Sequence, residues 1–359
     1  MKIAVITCYF DPDYIRARTL RAGLKQVPGV KTIIVKNSQT GTLRYPEIIW
    51  KLWKVKRDQK PDAYLLTFRG QEILPLVLFI ARKKPVIFDE FIVPIAYATN
   101  EKHHKSLSIR IKYFLARTSE PFYRRWLRRS KVILADTASH AELSARTSHM
   151  NLRKYFPIPV GADEKLFQPA KKIASEKFRV FYWSTGMQPL HGIPVVLEAA
   201  ELLKDNENIE FVLAGGKKPM AEAVAASVSN GAHIEYHSWI PFNDLANIMH
   251  SSGVCLGGPF GNTQQANHVI TGKTYMFLAS QVPVLVGASD ATKEYFADKE
   301  NALVVSQGDA VALAKSINWA YKHPAELDTI AQNGRKLYDK QFSVKAISQQ
   351  LQSVVDAIS

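Results

Sequence analysis

The sequence predicts an α/β protein of two Rossmann-like domains, each a parallel sheet with helices on both faces, facing an interdomain cleft. Three observations predict it. Short apolar runs alternate with helix-period segments from end to end, which is the pattern of βα units and parallel sheets. The chain has 359 residues, room for two domains of roughly 150 each. The alternation pauses once, at the polar residues 169–175, and then begins again, so a linker is expected there.

Each element of the first half has its own signal. Residues 2–8, 31–36, 62–68, 85–88 and 132–135 are β-branched or aromatic runs of strand length. Residues 16–26, 71–82 and 139–147 have helical spacing. So do residues 45–58, where Ile48, Ile49, Leu52, Trp53 and Val55 are placed to line the inner side. Residues 102–129 form a long basic segment that reads as mostly helical, and residues 155–159 lead into Val160 and Gly161. In the second half, strands are expected at 178–183, 209–213, 233–236, 254–256, 283–286 and 303–305. Helices are expected at 195–204, 220–228, 243–250, 274–280 and 290–296, and three more close the chain at 310–321, 324–341 and 343–357. The expected domains are therefore 1–168 and 169–342, with the helix of 343–359 packing back on the first.

Composition narrows the classes of function. Apolar residues make up 47% of the chain, enough for two cores. The two cysteines, Cys8 and Cys255, both fall in strands, so no disulfide framework is expected and a reducing compartment fits. The longest apolar run, 73–81, is well short of the ~18 residues of a membrane span. The N-terminus passes straight into a strand pattern, so no signal peptide is expected. Net charge is +15 and uneven: residues 1–170 hold 31 Lys and Arg against 14 Asp and Glu, the remainder 16 against 18. Such asymmetry is a statement about partners rather than fold. No Gly-x-Gly-x-x-Gly follows the first strand, which argues against NAD or FAD, and no Walker loop, Cys-x-x-Cys pair or His-Glu-x-x-His is present. Asp11 and Asp13 spell Asp-x-Asp, weak evidence for a metal on its own. The basic balance lacks a helix-turn-helix signal or an RNA-recognition aromatic pair, so no nucleic-acid partner is expected.

The most informative stretch is 253–287. It reads as strand, glycine loop (Gly257, Gly258, Gly261), polar segment, helix beginning at Gly272 and Lys273, and a second strand after Pro283. Such a unit places a loop and a helix N-terminus at the carboxyl edge of a parallel sheet, where unpaired N–H groups hold an anion. Lys273 adds charge to the same place. Residues 186–192, Gly-Met-Gln-Pro-Leu-His-Gly, repeat the arrangement after the strand at 178–183. In the first half, residues 68–72 (Phe-Arg-Gly-Gln-Glu) and the pair Asp89 and Glu90 end consecutive strands. Acidic groups beside an arginine at that edge are candidates to polarise a sugar hydroxyl or support an oxocarbenium-like centre. Their structural alternative is a capped loop and a solvated glutamate.

These motifs carry a resemblance. The stretch 253–287 resembles the donor-binding segment of glycosyltransferases of the GT-B fold, in the broad group 1 or family 4 class, through Phe260, Gly261, Lys273, Pro283 and Val284. Residues 185–203 resemble the loop that contacts the donor diphosphate, with His191 in a Pro-Leu-His-Gly form and Met187 near a usual basic position. Residues 160–169 resemble the interdomain segment, 239–245 a scaffold strand and cap, and 84–91 the first-domain catalytic edge. The sequence departs from the family where Met276 replaces the usual ribose-binding Glu and Gly258 the other Glu. The resemblance implies transfer of a sugar from a UDP- or GDP-linked nucleotide-sugar to a glycan or lipid-linked acceptor in cell-surface polysaccharide or glycoconjugate synthesis, with retention of configuration and no metal or other cofactor. It implies donor binding by Gly186, His191, Gly192, Phe260, Gly261, Lys273, Thr274 and Tyr275, beneath a mobile loop of Asn262, Thr263, Gln264 and Gln265. Asp89 and Glu90 are then the catalytic candidates, and Arg69 and Gly70 the acceptor side. The alternatives left open are a non-catalytic GT-B binding or scaffold protein and a nucleotide-sugar epimerase.

Residues 102–131 hold ten Lys and Arg against Glu120, with Glu101 just before them, interleaved with aromatic and aliphatic residues. That is the composition of an interfacial helix on an anionic membrane, with Arg124, Arg125, Arg128 and Arg129 as the contact, and a core helix with a basic outer face is its bland alternative. The expected location is cytoplasmic, peripheral on the inner face of the cell membrane.

Overall fold

The structure is a computed structural model that describes residues 1–93, 107–184 and 186–359. His103, His104, Lys102 and Lys105 lie outside the described residues. The chain divides into two compact units, Met1–Gly161 with Val344–Ser359, and Ala162–Ser343.

The first unit is a six-stranded sheet of order β2-β1-β3-β4-β5-β6: β1 Lys2–Thr7, β2 Lys31–Lys36, β3 Ala63–Leu66, β4 Val86–Asp89, β5 Val132–Ala135 and β6 Tyr155–Pro157. Every pairing is parallel. The strands are short and apolar throughout because both faces are covered. Alternate residues divide between the faces. Ala4, Ile6, Tyr64, Leu66, Phe88 and Ile133 join one core, under α2 (Arg44–Gln59), α3 (Leu74–Ala81), α4 (Leu107–Arg129) and α5 (Ala138–Ser148). Ile3, Val5, Leu65, Ile87 and Leu134 join the other, under α1 (Ile15–Gln26) and α13 (Val344–Asp356). The return of α13 depends on Gly23 of α1, where an added Cβ would lie 2.9 Å from Ile347 Cγ2.

The second unit repeats the design with order β12-β11-β10-β7-β8-β9: β7 Phe178–Ser184, β8 Ile209–Gly215, β9 Ile234–His237, β10 Val254–Leu256, β11 Val284–Ala288 and β12 Leu303–Ser306. All of its pairings are parallel too. Its helices include α6 (Ile193–Leu202), α7 (Lys217–Ser229), α8 (Leu245–His250), α9 (Gly272–Ala279), α10 (Asp290–Lys293), α11 (Ala310–Lys322) and α12 (Pro324–Leu337).

Three expectations shift. The junction falls after Gly161, ahead of the polar stretch expected to be the linker. Phe167 is fully buried edge-on to Phe242 at 5.3 Å, and Tyr338 donates to Glu164 at 3.2 Å, so 162–168 pack with the second unit. The helix expected over 71–82 is split into a 3-10 turn, Gly70–Glu72, and α3, with Pro75 at its start. Trp53, expected on the inner side of α2, points to solvent, and the buried stripe is Ile48 and Leu52.

Candidate functional site

In the second sheet the chain runs outward from β7 to β9, then returns to lay β10 against the other side of β7. The carboxyl ends of β7 and β10 therefore flank the topological switch point, where open α/β sheets bind ligands. Both glycine loops emerge there. After β7, a 3-10 turn over Pro189–His191 ends at Gly192, left-handed at φ 66°, which starts α6. After β10, the chain passes Gly257, Gly258 and Gly261 and reaches α9 at Gly272.

The two loops are fitted to one another. Gly261 N–H donates to Leu190 O at 3.1 Å. A Cβ on Gly261 would sit 1.9 Å from Pro189 O, and one on Gly192 would sit 2.4 Å from Phe260 C. Both glycines are thus required by close backbone approach, and Gly192 also by its positive φ. Gly186 is different: a Cβ there meets nothing within 4 Å.

Lys273 lies in the first turn of α9 and is only 5% exposed. Its Nζ donates to Trp183 O at 3.1 Å and stands 3.9 Å above the Tyr182 ring. Tyr182 OH in turn donates to His191 O at 3.2 Å, linking the lysine to the first loop. Burial lowers the Lys273 pKa to about 7. Burial, and then the charge of Lys273, lowers that of His191 to about 3. His191 is therefore a neutral imidazole, and its Nδ1 has no hydrogen-bond partner among the described residues. The first-turn N–H groups of a helix have no intrahelical partner, and here two helix starts, α6 and α9, stand with this lysine and imidazole. The assembly is suited to a phosphate-sized anion.

Three residues expected to bind the donor have side chains packed into the interior. The Phe260 ring is buried in the core of the second unit and only its main chain meets the first loop. Thr274 is fully buried, with its Oγ1 3.1 Å from Thr271 Oγ1, and Thr271 donates to Gly257 O at 2.6 Å. It holds α9 to the loop. Tyr275 is fully buried edge-on to Phe342 at 5.0 Å, because a helix start aims successive side chains in different directions and only Lys273 points to the switch point. Met276 is buried as well. The loop expected to be mobile, 262–265, closes on a local turn in which Ala266 N–H donates to Thr263 Oγ1 at 3.1 Å, and just after it Asn267 Nδ2 donates to Asp290 at 2.6 Å. Asn262 and Gln264 are exposed.

The corresponding edge of the first unit is built differently. Asp89, at the end of β4, is buried against Arg16, which donates through Nη2 at 2.8 Å and Nε at 3.1 Å. Phe68 N–H donates to its other oxygen at 3.1 Å, and Arg16 Nη1 also donates to Pro159 O at 2.8 Å and to Ile158 O. Both oxygens of the Asp89 carboxylate are engaged by these bonds, which pin the end of β4 to α1. Glu90 is buried too, accepting from Tyr123 OH at 2.6 Å and from Ser144. Burial raises its pKa, against the hydrogen bonds of Ser144 and Tyr123. His140, beside it, pairs with Asp136. Burial opposes its charge, but Asp136 raises its pKa overall. Gly70 is held by packing, since a Cβ would meet Leu66 Cγ at 2.4 Å. Arg69, exposed and left-handed at φ 54°, holds its guanidinium 5.7 Å from the Tyr9 ring.

Two features escaped the sequence reading. Arg16 lies on the same face of α1 as Leu20 and Leu24, and a charge at that i, i+4, i+8 spacing signals a buried partner. The rings of Tyr9, Tyr14, Phe68 and Phe91 cluster at the carboxyl edge of the first sheet, Tyr14 stacked on Phe68 at 4.1 Å and Phe91 4.8 Å from Phe68. A cavity of about 510 Å³, lined by Lys177, Arg179, Glu210 and Asn247 among others, opens at the amino ends of β7 and β8, opposite the switch point.

Comparison with known proteins agrees with this fold. Residues 196–353 match a family described as Glycosyl transferase-like. A search of curated protein sequences gave no match. Among solved structures, HepE of Anabaena in complex with UDP-glucose superposes with a TM-score of 0.72 at 12% identity, over 99% of this chain and 100% of that one. Sucrose-phosphate synthase from Thermosynechococcus elongatus gives 0.74 at 16% identity, over 99% and 98%. A glycosyltransferase from Rickettsia africae gives 0.72 at 13%, over 99% and 98%. The GT-B fold class and the glycosyltransferase resemblance read from the sequence are borne out.

Proposed function

We propose that this chain, GT-B in fold and glycosyl transferase-like over residues 196–353, transfers a sugar from a UDP- or GDP-linked nucleotide-sugar to a glycan or lipid-linked acceptor in cell-surface glycoconjugate synthesis, without a metal. The observation that carries the reading is Lys273, a buried lysine at a helix start on the switch point, beside neutral His191. Charge develops on the leaving diphosphate during transfer, and groups already aimed at that position stabilise the transition state without reorganising. Lys273 becomes fully charged as the diphosphate arrives, His191 donates one hydrogen bond, and the starts of α6 and α9 supply N–H groups. The sugar moves with retention of configuration, which NMR of the first-formed product decides.

The acceptor belongs on the carboxyl edge of the first sheet, where the partly exposed Tyr9 and Tyr14 rings, backed by buried Phe68, offer apolar surface to a sugar and Arg69 offers charge. The protein works at the inner face of the cell membrane, held through its basic half. The test is a panel of nucleotide-sugars scored for turnover, with calorimetry of UDP and GDP on Lys273→Ala. Removing one such group costs about 2.7–4 kcal/mol of transition-state stabilisation, a loss of roughly 100- to 1,000-fold in turnover. Unchanged affinity for both diphosphates in the variant would refute the donor assignment.

A second reading is favoured by Asp89 and Glu90 both being engaged in buried bonds, and by Met276. It is a GT-B protein that binds a nucleotide-sugar without turning it over. Turnover of any donor with a membrane extract as acceptor eliminates it.

A further inference from the structure

An amphipathic helix on a sheet should be polar on its outer side. In the first unit α2, α3 and α4 cover one face of the sheet side by side, and each exposes large aromatic rings on its outer side. On α2 the exposed side chains at 46, 50 and 53 form one stripe, of which Trp50 is 62% and Trp53 45% exposed, and Leu43, in the 3-10 turn just before it, is 63% exposed. On α3 the exposed residue is Phe79, at 67%. On α4 the exposed residues include Phe122, at 62%, and Phe114 two turns earlier at 64%, beside Arg125, Arg128 and Arg129. Lys56 Nζ donates to Ile80 O at 2.6 Å, fixing α2 against the end of α3.

Cations are interleaved with these rings. Lys54 lies 5.4 Å from the Trp50 ring and Lys56 4.9 Å from the Trp53 ring. Exposed Arg82, Lys83 and Lys84 follow Phe79, and exposed Arg125 and Arg129 continue the stripe of Phe122. Every carboxylate on these helices among the described residues is already in an ion pair: Glu47 with Lys51, Asp58 with Arg57, and Glu120 with Arg124. Arg124, half-buried in that pair, is thereby a weaker membrane contact than its neighbours Arg125, Arg128 and Arg129.

We propose that this three-helix face is the docking surface for an anionic lipid bilayer, with Trp50, Trp53, Phe79 and Phe122 entering the headgroup region between lysines and arginines. Tryptophan concentrates at the bilayer interface because its ring is apolar and its N–H seeks water. Rings spread over three neighbouring helices, with cations between them, fit an extended anionic surface better than a single groove fits a peptide. The inference deepens the membrane part of the proposed function and rests on that part alone. Its failure leaves the donor chemistry of the second unit standing.

The test uses the full chain with phosphatidylglycerol–phosphatidylcholine vesicles carrying brominated acyl chains, against phosphatidylcholine alone. Wild type should float with the anionic vesicles at low salt, and its tryptophan fluorescence should be quenched by the bromines. The variant Trp50→Ser, Trp53→Ser, Phe79→Ser should lose flotation by roughly tenfold or more, with its circular dichroism and melting midpoint unchanged since the positions are exposed. Arg82→Glu, Lys83→Glu, Lys84→Glu reads the same surface through charge and should also abolish flotation. No flotation of wild type overturns the proposal. So does flotation of both variants at the wild-type level, or binding to vesicles that soluble heparin reproduces without any contribution from the aromatic residues.

Discussion

At the scale of single residues, Lys273 carries a pH signature that separates a diphosphate clamp from a buried structural lysine. In the free protein burial lowers its pKa to about 7. A bound diphosphate favours the charged form and raises it, so above pH 7 binding must take up a proton. UDP itself is fully ionised there, its last phosphate pKa being near ~6. The sign follows: affinity for UDP falls as pH rises from 7, by up to about tenfold per unit, until the bound-state pKa is passed. Calorimetry in buffers of different ionisation enthalpy measures the proton directly, and Lys273→Met should abolish the uptake. A flat affinity between pH 7 and 9 in wild type would show that Lys273 takes up no proton on binding, and Lys273→Ala then decides whether it touches the diphosphate at all. Asp89 makes the contrasting prediction. Replacing it with Ala leaves the Arg16 guanidinium buried and unpaired, a loss of about 3–5 kcal/mol in denaturant unfolding. A variant that kept its stability and lost turnover alone would restore Asp89 as a catalytic group. Of these residues Lys273 was legible in the sequence, because a lysine at a helix start after a glycine loop has few other uses. The role of Asp89 was hidden, because its partner Arg16 is 73 residues away in sequence.

At the scale of elements, glycines marked the loops correctly but not what they do. Gly192 and Gly261 were legible as a phosphate loop signature, whereas their mutual contact across the switch point depends on strand order, which no local pattern contains. The burial of the Thr274, Tyr275 and Phe260 side chains was illegible for a related reason. Adjacency to Lys273 or Gly261 in sequence says nothing about rotation around a helix start or into a core. The same limit applies to α2, where Trp53 fits the inner stripe as well as Val55 until the sheet fixes the helix orientation. The closing helix offers a direct test of element packing. α13 buries Ile347, Leu351 and Val354 against α1 in the core of the first unit. Burying one such side chain is worth about 1.5–3 kcal/mol. Ending the chain at Ser343 should therefore unfold the first unit or lower its melting midpoint sharply, as followed by hydrogen exchange on β1 and β3, while strands β7 and β10 keep their protection. Equal loss of protection in both sheets would show that α13 stabilises the chain in some other way.

At the scale of the whole molecule, charge and chemistry are assigned to different parts of the chain. Residues 1–170 carry the entire positive excess, net +17, and residues 171–359 are close to neutral at −2. The proposed anion site in the near-neutral part depends on a lysine that is 5% exposed, whereas the proposed membrane face depends on cations at the surface. Salt acts on these two situations unequally. The Debye length is about 10 Å at 0.1 M and about 3 Å at 1 M, and it screens exposed charges far more than buried ones. Raising salt from ~50 mM to ~500 mM should release the protein from anionic vesicles and change UDP affinity by less than about threefold. The two measurements are made on one sample, flotation for the first and calorimetry for the second. A parallel loss of both would mean that the diphosphate is held by diffuse surface charge, and the buried clamp at Lys273 would have to be abandoned. Retention of both would mean that the exposed aromatic residues alone hold the bilayer, with the basic excess serving the acceptor.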